Sequence, residues 1–175
     1  MFRIRKIFNP WLEGNRQSAE KVREIMRLQF PGMPATQIEN IFLQMRNPVG
    51  KKFQTSLVIA DDYRSNIRGF AVLLYMSDLK FCYLDYLAVT PDKPTSGVGG
   101  SIYERIREEA ESLGTIGIFF ECLPDDPALC RDQSFIRQNM KRLAFYERYG
   151  AFPVLNTKYE TPVKPENDCP PYLVY

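Results

Sequence analysis

Tyr83-Leu84-Asp85-Tyr86-Leu87-Ala88-Val89-Thr90-Pro91 runs directly into Asp92-Lys93-Pro94-Thr95-Ser96-Gly97-Val98-Gly99-Gly100. The first stretch is apolar and predicts a strand over Phe81–Thr90, continuous enough for a central place in a sheet. The second is a loop rich in Pro, Gly and Ser. An amphipathic helix is predicted from Ile102 to Leu113, with Ile102, Ile106 and Ala110 at helical spacing. Strand, glycine-rich loop and helix in that order make an anion site, because backbone N–H groups and the positive end of the helix dipole converge there. Glycine lets the backbone approach a ligand closely and take unusual φ/ψ. A phosphate-bearing ligand is the functional reading; a flexible turn before a glycine-tolerant helix start is the bland one. The dinucleotide fingerprint fails, since Ile102 stands three residues after Gly99, and the P-loop Lys-Ser/Thr pair is missing.

Outward from this centre the pattern alternates strands and helices. A strand is predicted over Phe2–Phe8, and a helix over Gln17–Phe30 with Ser18 as its N-cap and Pro31-Gly32 as its stop. A shorter helix follows over Thr36–Met45. Strands at Phe53–Ala60 and Ile67–Met76 form a hairpin around Asp61-Asp62. Beyond the central helix come a strand over Thr115–Cys122 and a long connection through Leu123–Arg137. A helix over Asn139–Tyr149 then closes at Gly150, and strands follow at Phe152–Thr161 and Tyr172–Tyr175. Three strands in a row and then β-α-β-α predict an α/β fold with a central mixed β-sheet of six to seven strands and about four helices, not a doubly wound one. We read residues 1–175 as one domain. The chain stops inside a strand-like stretch, which reads either as a natural end or as the N-terminal part of a longer protein.

Composition narrows the chemistry. Lys and Arg number 23 against 21 Asp and Glu, too balanced to argue for nucleic acid from charge. No apolar run reaches the roughly 18 residues of a membrane-crossing helix, and the basic N-terminus lacks a signal-peptide core. There is no histidine. That removes Ser-His-Asp and Cys-His catalysis and most transition-metal sites, so no metal is expected. None of Cys82, Cys122, Cys130 and Cys169 lies in a CxxC pair. We read them as reduced thiols in a cytoplasmic protein. Asp125, Asp126 and Asp132 read as turn formers beside Pro124 and Pro127, or as attractors of a cationic amine.

Leu84–Val89, the Gly97-Val98-Gly99 loop and the later Ala144-Phe145-Tyr146-Glu147-Arg148-Tyr149-Gly150-Ala151-Phe152 together resemble the GCN5-related N-acetyltransferase (GNAT) superfamily. Its signature is a central strand ending in Leu-Ala-Val, a Gln/Arg-x-x-Gly-x-Gly/Ala loop, a helix, a strand, and a helix with Phe-Tyr before Gly-Phe. The element order matches along nearly the whole chain. Pro94 stands at the Gln/Arg position, which leaves the backbone amides to hold the pyrophosphate.

The resemblance implies an acetyl-CoA-dependent N-acetyltransferase working by direct attack of a primary amine in a ternary complex, with acetyl-CoA as cosubstrate. It implies that pantetheine lies beside a bulge in the central strand, against the backbone of Leu87, Ala88 and Val89, with the Leu87 amide polarising the thioester carbonyl. The pyrophosphate falls to Thr95, Ser96, Gly97, Val98, Gly99, Gly100 and Ser101. Asn139 matches a family asparagine near the pantetheine arm, or reads as a helix N-cap. Tyr146 matches the tyrosine that protonates the departing thiolate, or reads as a core aromatic beside Leu143. The ammonium of the acceptor must lose a proton. Glu121 is the first candidate base and Asp85 the second; either also reads as a structural carboxylate. The acceptor is a protein lysine, a protein N-terminus, a polyamine or a small metabolite, with no nucleic-acid or membrane partner, and the family admits a homodimer. The alternative is a non-catalytic acyl-CoA-binding regulatory or interaction module of the same fold.

Overall fold

The structure, a computed structural model, describes residues 1–46, 52–62, 64–90, 97–130, 133–159 and 169–175. Among them are six strands and four helices, ordered β1 (Arg3–Ile7), α1 (Glu13–Gln29), α2 (Ala35–Arg46), β2 (Gln54–Asp61), β3 (Ile67–Met76), β4 (Phe81–Val89), α3 (Val98–Ser112), β5 (Ile118–Cys122), α4 (Gln133–Glu147) and β6 (Tyr172–Val174). The chain divides into two compact units, Met1–Ile118 and Phe119–Tyr175.

In the first unit β1, β2, β3 and β4 pair in sequence, each antiparallel to the last. Short connections make that the natural arrangement for β2, β3 and β4, while α1 and α2 lie between β1 and β2. After α3 the chain returns along the other side of β4. The Ile116 amide donates to the Lys80 carbonyl at 2.7 Å, and the Cys82 amide to the Gly117 carbonyl at 3.0 Å. Residue numbers rise together on the two segments, so β5 starts parallel to β4. The sheet is therefore mixed, with β4 paired on both sides, as its apolar sequence requires.

Leu57, Ile59, Phe70, Val72 and Ala88 pack with Val22 and Met26 of α1 and Ile38 and Phe42 of α2. On α3, Val98, Ile102 and Ile106 are fully buried. They reach the sheet because Gly69 has no side chain: a Cβ there would stand 2.9 Å from the Ala88 carbonyl and from Ile102 Cδ1. Glycine here is a packing requirement.

Helix α1 starts four residues earlier than the sequence predicts. The amides of Asn15 and Arg16 already donate to the Leu12 carbonyl, at 2.8 and 3.0 Å, and no side chain caps the turn. Ser18 is thus no N-cap. It is buried inside the helix, where its Oγ accepts from Arg5 Nη2 at 2.6 Å. Arg5 Nε and Arg3 Nε donate to Asp61, whose carboxylate is wholly buried, at 3.0 and 2.7 Å.

In the second unit β5 and β6 are antiparallel, with Phe120 opposite Val174, Glu121 opposite Leu173 and Cys122 opposite Tyr172. The strand predicted over Phe152–Thr161 is reduced to a bridge between Pro153 and Val174. The amides on either side, Phe152 and Val154, donate to the Tyr175 and Leu173 carbonyls, and Pro153 leaves no N–H on the outer edge. Residues 160 and 161 of that span lie outside the described residues. Helix α4 ends at the predicted glycine. Gly150 has φ +80°, its amide donates to Glu147, and the Ala151 amide donates to Tyr146, which is a Schellman ending.

Candidate active site

The central strand carries an irregularity where the sequence places its first acid. Tyr86 stands opposite Val72 and Leu84 opposite Leu73, so Asp85 is the extra residue of a β-bulge. A bulge bends its strand and re-aims the side chains around it. It also shifts which backbone groups face which neighbour. The Thr90 amide donates to the Arg68 carbonyl at 3.0 Å, so Thr90, Ala88 and Tyr86 bond toward β3. By alternation the N–H and C=O groups of Leu87 and Val89 point away from β3. Below the bulge the Cys82 amide also points away from β3, to Gly117. Two even-numbered residues, Cys82 and Thr90, thus bond to opposite sides, and the bulge between them is the reason.

The loop beyond β4 closes on a glycine in the left-handed region, Gly97 at φ +99°. A side chain there would be strained. Helix α3 begins at Val98. Its first internal bond runs from the Ser101 amide to the Gly97 carbonyl at 2.8 Å, and no side chain caps the end. The amides of Val98, Gly99 and Gly100 therefore leave the helix without an i−4 acceptor, at the positive end of a 15-residue helix. Val98 is fully buried, and Gly99 lies against Val89, where a Cβ would be 3.4 Å from Val89 Cγ2. Side-chain packing thus sets the amide cluster against the end of β4. Pro94, Thr95 and Ser96 lie outside the described residues.

In the second unit Tyr146 is buried, with its ring centroid 4.3 Å from that of Phe120 and 4.9 Å from that of Phe145. Leu143, three residues earlier, is buried with it. Asn139 is six residues into α4, so the N-cap reading fails. Its buried side chain donates to the Pro124 carbonyl at 2.7 Å and ties the β5–α4 connection to the helix. Asp126 is a turn former: its carboxylate accepts from the Ala128 amide, and its carbonyl from the amides of Leu129 and Cys130. Asp132 lies outside the described residues.

Alternation along β5 separates the two principal candidates of this unit. Phe120 and Cys122 are buried on the side of Tyr146, while Glu121 leaves the opposite side and is exposed. There the Tyr159 hydroxyl donates to Glu121 Oε1. Nothing in the sequence pairs these two residues, which stand 38 apart.

The cysteines divide. Burial pushes the Cys82 thiol up to about 11, with the Glu109 charge adding to it, and burial pushes Cys122 up to about 12. Both stay protonated near neutral pH and behave as small hydrophobes. Cys130 and Cys169 form a disulfide, so the expectation of four reduced thiols is overturned for this pair. They are 39 residues apart, and only the fold brings them together. Thiol usage consequently loses its force as an argument for a cytoplasmic home. Among the described residues no three of Cys, Asp or Glu are grouped to hold a metal ion, and no helix is long and apolar enough to cross a membrane.

No protein-family model matches the chain, and no curated protein matches it. Its similarity to solved structures is extensive. An acetyltransferase of the GNAT family from Staphylococcus aureus superposes with a TM-score of 0.65 at 16% identity, over 99% of this chain and 98% of that one. The ribosomal-protein-S18-alanine N-acetyltransferase of Escherichia coli gives 0.64 at 15%, over 99% and 92%. The catalytic domain of the Tetrahymena GCN5 histone acetyltransferase, in complex with coenzyme A, gives 0.62 at 12%, over 100% and 93%. The chain has the GNAT fold.

Proposed function

We propose that this chain is an acetyl-CoA-dependent N-acetyltransferase that moves an acetyl group to a primary amine by direct attack in a ternary complex. The observation that carries the reading is the run of one bulged strand, one left-handed glycine and one uncapped helix start, on a chain with the GNAT fold. The amides of Gly97 to Gly100 hold the pyrophosphate, with Thr95 and Ser96 contributing from the preceding loop and Ser101, whose amide donates to the Gly97 carbonyl, through its hydroxyl. The outward backbone of Leu87 and Val89 pairs with the pantetheine arm, Ala88 lies between them, and the Leu87 amide polarises the thioester carbonyl. Asn139 acts by fixing the Pro124 turn at the base of α4.

The chemistry balances with two proton transfers. The amine nitrogen bonds to the acetyl carbon as the carbon–sulfur bond breaks. Tyr146 gives its proton to the departing thiolate, which a phenol can do because its pKa of about 10 lies above that of a thiol. A carboxylate takes the proton of the incoming ammonium. Glu121 and Asp85 both qualify by residue type. Glu121 is the first candidate and Asp85 the second; Glu121 leaves β5 on the side opposite Phe120 and Cys122 and is exposed. Alignment and carbonyl polarisation supply most of the acceleration.

Titration of acetyl-CoA, coenzyme A and NAD into the purified protein, followed by an amine-library screen for thiol release, tests the reading. Acetyl-CoA binds, NAD does not, and free thiol appears with an amine. Binding without turnover for any amine would make the chain a non-catalytic acyl-CoA-binding module.

A further inference from the structure

We infer that the Cys130–Cys169 disulfide is a redox latch within the second unit: a dithiol reductant opens it, β6 comes off β5, and Tyr146 loses its fixed place. The bond ties the turn that follows β5 to the residue that precedes Pro170, Pro171 and β6. The Cys169 amide donates to the Leu129 carbonyl at 3.1 Å across the same junction. Strand β6 is three residues long and pairs with Phe120, Glu121 and Cys122 of β5. So short a ladder is marginal by itself, and a covalent tie beside it holds it in register.

Both supports of Tyr146 hang on the segments that the bond joins. Phe120, whose ring centroid is 4.3 Å from that of Tyr146, stands opposite Val174 of β6. Asn139, about two helical turns before Tyr146 on α4, holds the Pro124 carbonyl of the turn. Asp126 closes that turn onto Ala128, Leu129 and Cys130.

The bond is also placed to be opened. Cys130 is wholly buried, whereas Cys169 is partly exposed. Cys169 has φ +56°, the left-handed region that residues with a side chain avoid, and release from the bond lets it relax. Exposed or strained disulfides are the reducible ones. A thiolate of the reductant attacks the Cys169 sulfur, and Cys130 leaves and takes a proton. The reductant's second thiolate then displaces Cys169, which is protonated in turn, and closes the reductant's own disulfide. The protein gains two electrons and two protons, and the dithiol loses the same.

The test measures amide hydrogen exchange of the full chain, oxidised and after dithiothreitol. Reduction speeds exchange about tenfold at Phe152, Val154 and Tyr175, which bond along β6, and at Ala151, which donates to the Tyr146 carbonyl. Amides of β2 and β3 keep their rates. Oxidised glutathione restores the slow exchange. A chain carrying Cys130→Ser and Cys169→Ser exchanges like the reduced one, with or without dithiothreitol. Unchanged exchange at the four amides overturns the inference. Equal acceleration in β2 and β3 also overturns it, since that marks a staple for the whole fold. The consequence for activity rests on the acetyltransferase reading: reduction lowers kcat about tenfold and leaves the KM for acetyl-CoA unchanged. Equal kcat in the two states overturns the link to Tyr146. If no amine yields thiol in either state, the acetyltransferase reading has failed, and exchange alone decides the latch: faster exchange at Ala151 and along β6 supports it, and unchanged exchange overturns it.

Discussion

Tyr146 and Gly97 separate packing from chemistry at the scale of single residues. Tyr146→Phe keeps the ring against Phe120 and Phe145 and removes only the hydroxyl. A general-acid role predicts kcat lower by about 100-fold, with little change in acetyl-CoA affinity or in unfolding midpoint. A core role predicts unchanged kcat. Steady-state kinetics beside thermal unfolding distinguish them. The loop glycines make a second contrast. Gly97→Ala forces a side chain into φ +99° and destabilises the fold by about 1–2 kcal/mol. Gly99→Ala meets only Val89 Cγ2, at ordinary contact distance, and gains helix propensity, so stability holds or rises by about 0.5–1 kcal/mol. Urea unfolding of both variants checks the pair. At this scale the left-handed turn at Gly97 was legible in the sequence, because φ freedom is a property of the residue itself. The Tyr159 hold on Glu121 was not, since a contact 38 residues long leaves no local signal.

At the scale of elements, β1 and β2 are joined by a charge cluster as well as a ladder. Burial raises the Asp61 pKa, but hydrogen bonds from Arg3 and Arg5 and their charges outweigh it, and the carboxyl sits below its ordinary value. A depressed folded pKa adds stability above the unfolded value of about 3.9. That stability is lost as pH falls through the folded pKa. Acid unfolding of Asp61→Asn should therefore start from lower stability at neutral pH and fall less steeply below pH about 4. Thiol titration tests another pair of elements. Native protein reacts slowly with a thiol reagent, because Cys82 and Cys122 are buried and protonated. Denatured without reductant it shows two thiols, and with reductant all four cysteines. Four thiols without reductant would remove the disulfide. Element identity was legible wherever periodicity was clean: β3 occupies the predicted Ile67–Met76. Helix α4 was read six residues short, because asparagine's capping preference suggested a start that its buried bond to Pro124 contradicts.

For the whole molecule the prediction is one of linkage. A ligand that binds only the folded chain stabilises it by about 2.7 kcal/mol at a hundred times its Kd. For a chain of 175 residues that raises Tm by about 5–10 °C. Acetyl-CoA should produce this shift and NAD none; thermal unfolding at several ligand concentrations reads it. The α/β class, the element order as far as Gly150 and the glycine loop followed from the sequence alone, because hydrophobic period, turn chemistry and glycine placement are local and repeat along each element. The bulge at Asp85, the outward amides of Leu87 and Val89, the opposite departures of Glu121 and Tyr146 and the Cys130–Cys169 bond were decided only by tertiary structure. Each depends on register or on closure between distant segments, and register belongs to a pair of strands, not to either strand's own residues.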